Sequence, residues 1–354
     1  MPSIDAKALR DYVQRLFERA GTPPADGAVV AAHLVEANLK GHDSHGVVRA
    51  PAYLQSLASG LTTAGAPVRV ERESATTALV DGGWNFGQVV ARRAMELAIA
   101  KARASGVGVA VAYRATHAGR IGAYVEQAVA EGLIGIAMAN NHGSGHLVAP
   151  FGGREPRLST NPIAAGFPTG DRSRPWVLDM ATAVTAEGKL RVALNQGRRV
   201  PPGWLLDAGG HATEDPAVFY GPPRGAILPL GGDAGHKGFG LSMLVEGLAG
   251  ALSPAGVSRP NAERGGNGLF LLALDPERLG GLAAFVTAFD GLIEWVQRSP
   301  FAVGVDEVLV AGEPERRAEA ERRTGGIPID ETTWAQLVAA GAGLGVAAPA
   351  AAAR

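Results

Sequence analysis

Residues 42–49 read HDSHGVVR, which places two histidines, an aspartate, a serine and an arginine within eight positions. A histidine titrates near neutral pH, so it can take or give a proton during turnover. A neighbouring hydroxyl can orient that imidazole or relay its proton. An arginine is permanently charged and can grip a carboxylate through two parallel bonds. Ser44, His45 and Arg49 together would suit chemistry on a small hydroxy or keto acid. Read from spacing alone, a capped loop carrying surface charges fits the stretch equally well. Arg49 follows His45 by four positions, so a helix would bring both to one face. Pro51 fits only a first helical turn, so the helix is expected to begin near Ala50, with the motif in the loop before it.

Other stretches carry potential chemistry. In THAGRIG (116–122), His117 stands between an apolar run and a helical pattern. Ligands of α/β sheets gather at such strand ends, and a helix start offers free N–H groups to a phosphate. The plainer reading is a turn histidine that caps the helix. GGREPRLSTNP (152–162) is rich in residues that let backbone approach a ligand. Asp179 ends the apolar run of VLDMAT and requires either a partner or a turn bond of its own. GGDAGHKGFG (231–240) leads into a helix expected near Phe239 and could cradle an anion. It is not a P-loop, because Gly238 follows Lys237. No G-x-G-x-x-G follows a strand anywhere, so a dinucleotide would not be bound in the usual way. His42 and His45, with His142 and His146, have spacings that could hold a metal ion. No acidic third ligand stands at a recognisable distance, so metal is the weaker reading.

These residues must be positioned by something substantial. The chain has 354 residues, 46% of them apolar, enough for a sizeable core in one large domain or two ordinary ones. The net charge of −1 gives no footprint for nucleic acid or an anionic membrane. There is no run long enough for a membrane helix, no signal-peptide core at the N-terminus and no cysteine, so a soluble cytoplasmic protein is expected. Ser3 is placed to cap a first helix carrying Leu9, Val13, Leu16 and Phe17, and a second helix follows Pro24 and stops at Gly41. From residue 77 onward, apolar strands alternate with helices: TALVDG, GVGVAVAY, IGIAMANN, WVLDMAT, GLFLLALD and VDEVLVAG are the expected strands. Nearly continuous apolar strands predict a sheet covered on both faces. The expected organisation is an N-terminal helical part over 1–74 that carries the charged loop, an α/β body over 75–312, C-terminal helices over 313–342 returning to the helical part, and a disordered tail over 343–354.

Taken together and in this order, SHGVVR, THAGRIGAYVEQA, VAPFGG, STNP, DMAT, GKLRVA, PPGW, EDP, GHKGFGL and AGEPERR resemble the type-2 malate/L-lactate dehydrogenase family over residues 5–340. That family also includes ureidoglycolate and sulfolactate dehydrogenases and reductases of cyclic imino acids. The resemblance implies a non-Rossmann malate/L-sulfolactate dehydrogenase-like α/β fold, in which an atypical domain binding NAD or NADP joins a helical domain built from both chain ends. It also implies a homodimer that moves a hydride between nicotinamide and C2 of a small 2-hydroxy or 2-oxo acid, or reduces a cyclic imino acid. Ser44 and His45 match the proton-handling pair and Arg49 the carboxylate residue. His117 matches a histidine that is the acid/base in some members and part of the cofactor site in others. Gly119, Arg120, Ile121, Thr160, Asp179, Met180, Ala181, His236, Lys237, Gly312 and Glu313 match cofactor-contacting positions. NNHGSGHLVAP and GGDAGHKG are longer than the common family forms. From outside this class stand a metal-dependent hydrolase using the four histidines and a catalytically silent binding protein.

Overall fold

The computed structural model describes residues 1–143, 145–260 and 264–350. The two ends of the chain are joined first. Strand β1 (Ser3–Ile4) pairs antiparallel with β12 (Ile327–Pro328), and helix α1 (Ala6–Arg19) follows it. Ser3 therefore sits in a strand. The cap is Asp5, whose carboxylate accepts a 2.9 Å bond from the Ala8 N–H. Helix α1 buries Leu9, Tyr12, Val13, Leu16 and Phe17 against α2 (Pro24–Leu39), α3 (Ala50–Ala58) and α10 (Glu331–Leu344). Tyr12 donates its hydroxyl to the Leu337 carbonyl at 2.8 Å, across 325 positions of sequence. Val346, 8% exposed, and Ala348 pack on this core, so the tail expected from 343 is ordered through at least Ala348; residues 351–354 of that expectation lie outside the described residues.

The second core lies on a seven-stranded sheet. Its strands are β2 (Arg69–Glu73), β3 (Thr77–Asn85), β4 (Val107–Ala115), β5 (Ile134–His142), β6 (Ile163–Phe167), β7 (Trp176–Met180) and β11 (Gly266–Leu274), in the order β2-β3-β4-β11-β5-β6-β7. Only β3 and β4 pair in parallel. The antiparallel partners β11 and β6 nonetheless leave β3, β4, β5 and β7 running the same way. Their carboxyl ends — Asn85, Ala115, His142 and Met180 — share one edge. Helices α4 (Gly87–Ser105) and α5 (Gly122–Ala130) cover one face with Val90, Met95, Ile121 and Val125. Helix α7 (Gly235–Val245) and the wider turn after it cover part of the other face through Val245 and Ala249.

A third, smaller core was not foreseen. Helix α6 (Glu187–Asn195) and the short strands β8 (Leu205–Leu206), β9 (Ala212–Thr213) and β10 (Ala226–Ile227) gather Leu190, Leu205, Phe219 and Ile227. Helices α8 (Leu282–Gln297) and α9 (Glu313–Gly325) complete the chain. VDEVLVAG forms no ladder. Val305 and Leu309 are exposed, and among the described residues the backbone bond of the segment to the sheet is a 3.4 Å bond from Val177 N–H to the Ala311 carbonyl. Apolar β-branched residues read as a strand, but a strand needs a neighbour to satisfy its backbone.

Candidate active site

The charged loop is two short 3₁₀ turns, Asp43–His45 and Val47–Arg49, ahead of α3. Asn38 at the end of α2 clamps it, donating to Asp43 at 2.6 Å and accepting from the Val47 N–H at 2.8 Å. Gly46 is required here: a Cβ would stand 2.2 Å from the Asn38 amide oxygen. Arg322 of α9 pairs with Asp43 at 2.6 and 3.0 Å, tying the loop to the returning chain end. Asp43 is thus structural, and the other groups face inward.

Ser44 Oγ lies 3.0 Å from His45 Nδ1. Arg49 Nε donates to the Ser44 carbonyl at 2.7 Å, and its two terminal nitrogens make no hydrogen bond among the described residues. The His45 ring stacks on His117, with centroids 5.7 Å apart and planes 22° from parallel. His117 Nδ1 meets the Tyr53 hydroxyl at 2.6 Å, and the Gln88 amide donates to that hydroxyl at 3.0 Å. Burial first, and the Arg49 charge second, push His45 down to about 3 and hold His117 well below the usual histidine range. Both imidazoles are therefore neutral at physiological pH. Burial likewise raises the Tyr53 phenol to about 12, so it keeps its proton.

The THAGRIG turn joins β4 to α5. Asn267 at the start of β11 accepts from the Ala118 N–H at 2.8 Å, and buried His33 of α2 accepts from the Arg120 N–H at 3.0 Å. Gly119 has φ +71°, and a Cβ there would stand 2.3 Å from His33 Nε2. Asp179, at the end of β7, accepts from the Gly122 N–H at 2.8 Å. This corrects one expectation: the first amide of α5 is occupied by a carboxylate, not held open for a phosphate. The partner that Asp179 required is thereby found, together with the nearby Arg120 charge. Burial still raises the Asp179 carboxyl despite that guanidinium.

Arg120 is 3% exposed, lies 2.6 Å from Glu126, and is 3.6 Å from Glu36. Lys40 adds a 2.8 Å contact to Glu126. Burial works against the Glu126 charge, yet Arg120 and Lys40 outweigh it and bring the carboxyl down to about 2. A cavity of about 240 Å³ opens beside this network, lined by Lys40, His42, Asp179, Gly312 and Arg316 among others. A larger cavity of about 940 Å³ runs from Ser44 and Arg49 to α6 and Trp204.

The structure thus gathers Ser44, His45, Arg49 and His117 at one corner, and Arg120, Asp179 and Gly312 at a second, with Gly119 and Ile121 in the turn between them. Thr160 lines neither cavity; its carbonyl accepts from the Thr182 N–H at 2.9 Å. Met180 pairs with Ile163 at the sheet edge, and Ala181 packs on the third core. His236 and Lys237 stand apart, exposed in the first turn of α7, with His236 edge-on to Phe151 at 5.7 Å. Glu313 faces away from the Asp179 cavity: its carboxylate accepts from Gln297 and from the Val310 N–H, each at 3.0 Å. The four metal-candidate histidines do not converge. His42 pairs with Glu315 at 3.3 Å, and His142 lies against Trp84 on the far side of β11. No cluster of three metal-ligating side chains exists among the described residues.

Sequence reasoning missed Tyr53, Gln88, His33, Asn38 and Asn267. One signal was available: His45, Arg49 and Tyr53 are each four residues apart. The other four come from separate elements and look like ordinary core or cap residues.

At the carboxyl edge of the sheet, two imidazoles held neutral by burial stand beside an Arg49 whose terminal nitrogens have no hydrogen-bond partner among the described residues. The malate/L-lactate dehydrogenase family profile matches residues 4–338. A malate dehydrogenase of Pyrococcus horikoshii is 39% identical over 91% of this chain and 89% of its own. The solved sulfolactate dehydrogenase of Methanocaldococcus jannaschii superposes with a TM-score of 0.87 at 35% identity, covering 98% of both chains. The Δ1-piperideine-2-carboxylate reductase of Pseudomonas syringae pvar. tomato does so with a TM-score of 0.84 at 31% identity, covering 96% of this chain and all of its own. The chain belongs to the malate/L-lactate dehydrogenase family, and it is an oxidoreductase of 2-hydroxy acids.

Proposed function

We propose that this protein interconverts a 2-hydroxy acid and its 2-oxo acid with NAD or NADP, at a site formed by Ser44, His45, Arg49 and His117. The observation that carries the reading is the pairing of neutral, stacked His45 and His117 with an Arg49 whose terminal nitrogens have no hydrogen-bond partner among the described residues. Arg49 grips the carboxylate and so orients C2. His45, oriented by Ser44, takes the hydroxyl proton on oxidation and returns it on reduction.

The residues around Asp179 fit a dinucleotide. Arg172 and Arg316 offer cations to phosphates, half-buried Asp179 offers a carboxylate to ribose hydroxyls, and Gly312 (φ +90°) leaves room where a Cβ would meet Pro175 and Val177 backbone at 3.2 Å. When bound, the nicotinamide supplies or receives the hydride. His236 and Lys237 are assigned to the same cofactor by family pattern alone, and Glu313 is assigned to holding the α9 start.

The larger cavity supports an acid with a second anionic group. Its acids are engaged: Asp43 with Arg322, Glu187 with the Tyr220 hydroxyl at 2.9 Å, and Asp330 with the Thr333 N–H at 2.8 Å. Lys189 and Arg198 line the same cavity, which leaves a surplus of cation beyond Arg49. The named substrates of the malate and sulfolactate relatives have that charge pattern. The protein is proposed to work as a cytoplasmic homodimer, with a second copy covering the exposed Leu292, Trp295 and Phe301 on and after α8. The helical unit and the α/β body are proposed as its two domains.

The test follows absorbance at 340 nm with NADH and NADPH against pyruvate, oxaloacetate, sulfopyruvate, oxalurate and a cyclic imine. Turnover of a 2-oxo dianion is expected. Turnover of the imine alone would transfer the reading to imino acid reduction, and no turnover with any of them would end it.

A further inference from the structure

The two stacked histidines are not equivalent. His45 Nδ1 meets a serine hydroxyl that can donate or accept. His117 Nδ1 meets a phenol whose own partner is a donor: Gln88 Nε2 gives its hydrogen to the Tyr53 oxygen at 3.0 Å. With the Gln88 amide in this orientation, which leaves its buried Oε1 without a partner among the described residues, the one hydroxyl hydrogen of Tyr53 points at His117 Nδ1, 2.6 Å away. Gln88 is fully buried and Tyr53 is 8% exposed, so no solvent competes for either bond.

We infer that Tyr53, aimed by Gln88, is a positioning residue that locks His117 as the Nε2–H tautomer. His117 is then a fixed donor to the C2 oxygen, and His45 is left as the proton acceptor. This rests on the 2-hydroxy acid reading and divides its labour. In oxidation the hydroxyl proton passes to His45 Nε2 as the hydride leaves C2 for the cofactor, and the oxygen retains a hydrogen bond from His117 Nε2–H. In reduction the same bond polarises the carbonyl and His45 returns the proton. The groups facing His117 are the Arg49 guanidinium and the neutral rings of His45 and His33, and among the described residues no carboxylate competes to draw a proton onto Nδ1.

The test uses full-length protein labelled with ¹⁵N-histidine, with the His117 signals assigned by their loss in His117→Asn. The native protein should show Nε2–H and an unprotonated Nδ1. Tyr53→Phe should mix the tautomers and lower kcat on the order of tenfold to a hundredfold, less than loss of a general acid–base group, with KM and cofactor binding nearly unchanged. Gln88→Met keeps the phenol but removes the donor that aims it, so the tautomer preference should weaken by less than in Tyr53→Phe, and unchanged cofactor binding in both variants guards against reading a folding defect as the effect. An Nδ1–H tautomer in native protein, or native kcat in Tyr53→Phe, would overturn the proposal. The NMR result stands apart from turnover: a native protein that reduces no 2-oxo acid removes the proposed reaction, whatever tautomer it shows.

Discussion

The corner at His45 and the corner at Arg120 are built on opposite electrostatic plans. At the first, two imidazoles and a phenol are kept neutral by burial, and Arg49 has no carboxylate partner among the described residues. At the second, Lys40 and Arg120 interlock with Glu36 and Glu126, and half-buried Asp179 caps α5 beside them. A group that must accept a proton has to be neutral beforehand, and desolvation supplies that state. A wall that must hold its shape beside a charged ligand needs its own charges fixed before the ligand arrives. Two neighbouring regions of the same sheet edge thus use burial in opposite ways: in one it removes charge, in the other it makes paired charge hard to break.

Separate perturbation of the two corners should give separable phenotypes. His45→Ala should lower kcat by roughly 10²–10⁴-fold and leave cofactor binding, read by NADH fluorescence, nearly intact. Retained turnover there, with turnover lost in His117→Ala, would exchange the two roles. Arg120→Met should act on stability, because it strands Glu126 and Asp179; breaking one side of such a buried pair costs about 3–5 kcal/mol, measurable by denaturant unfolding. A fully stable variant would show that the network is ornamental. Arg49→Lys should raise KM for the oxo acid about tenfold to a hundredfold with a smaller change in kcat, since an ammonium cannot make the paired grip. An unchanged KM would place the carboxylate elsewhere.

Acid should separate the corners more gently. His33 is pushed by burial from 6.5 to about 3 while it accepts the Arg120 N–H. The unfolded chain therefore binds this proton first as pH falls. The stability tied to neutral His33 is complete above about 6.5 and is lost toward 3, at up to about 1.4 kcal/mol per pH unit. His45 is depressed in the same direction, so kcat/KM for oxidation should show no descending limb at 6.5 while the fold survives. A limb at that pH would mean an imidazole in ordinary solvent contact.

The first corner was partly legible in the sequence. Ser44, His45 and Arg49 occupy one short segment, and Pro51 correctly separated that loop from the helix beginning at Ala50. Tyr53 and Gln88 were hidden because each is an ordinary helix residue whose role arises only where α3, α4 and the β4–α5 turn meet. Asp179 announced itself as a charge closing an apolar strand, but its partner, an amide 57 residues earlier, could not be read from spacing. The opening amide of α5 looked available to a phosphate because the sequence does not show what already sits there. VDEVLVAG misled for the converse reason, since strand propensity says nothing about whether a neighbour is present. The third core around Leu190 and Phe219 was missed because its strands are only two residues long.

The most direct test of the account is a crystal structure of the protein with NADH and oxamate, an unreactive 2-oxo acid mimic. The oxamate carboxylate should lie about 3 Å from the Arg49 terminal nitrogens, with its C2 oxygen between His45 and His117 and the nicotinamide against C2. A complex in which Arg49 and His45 turn away from the bound dinucleotide, with oxamate held by other side chains, would contradict it.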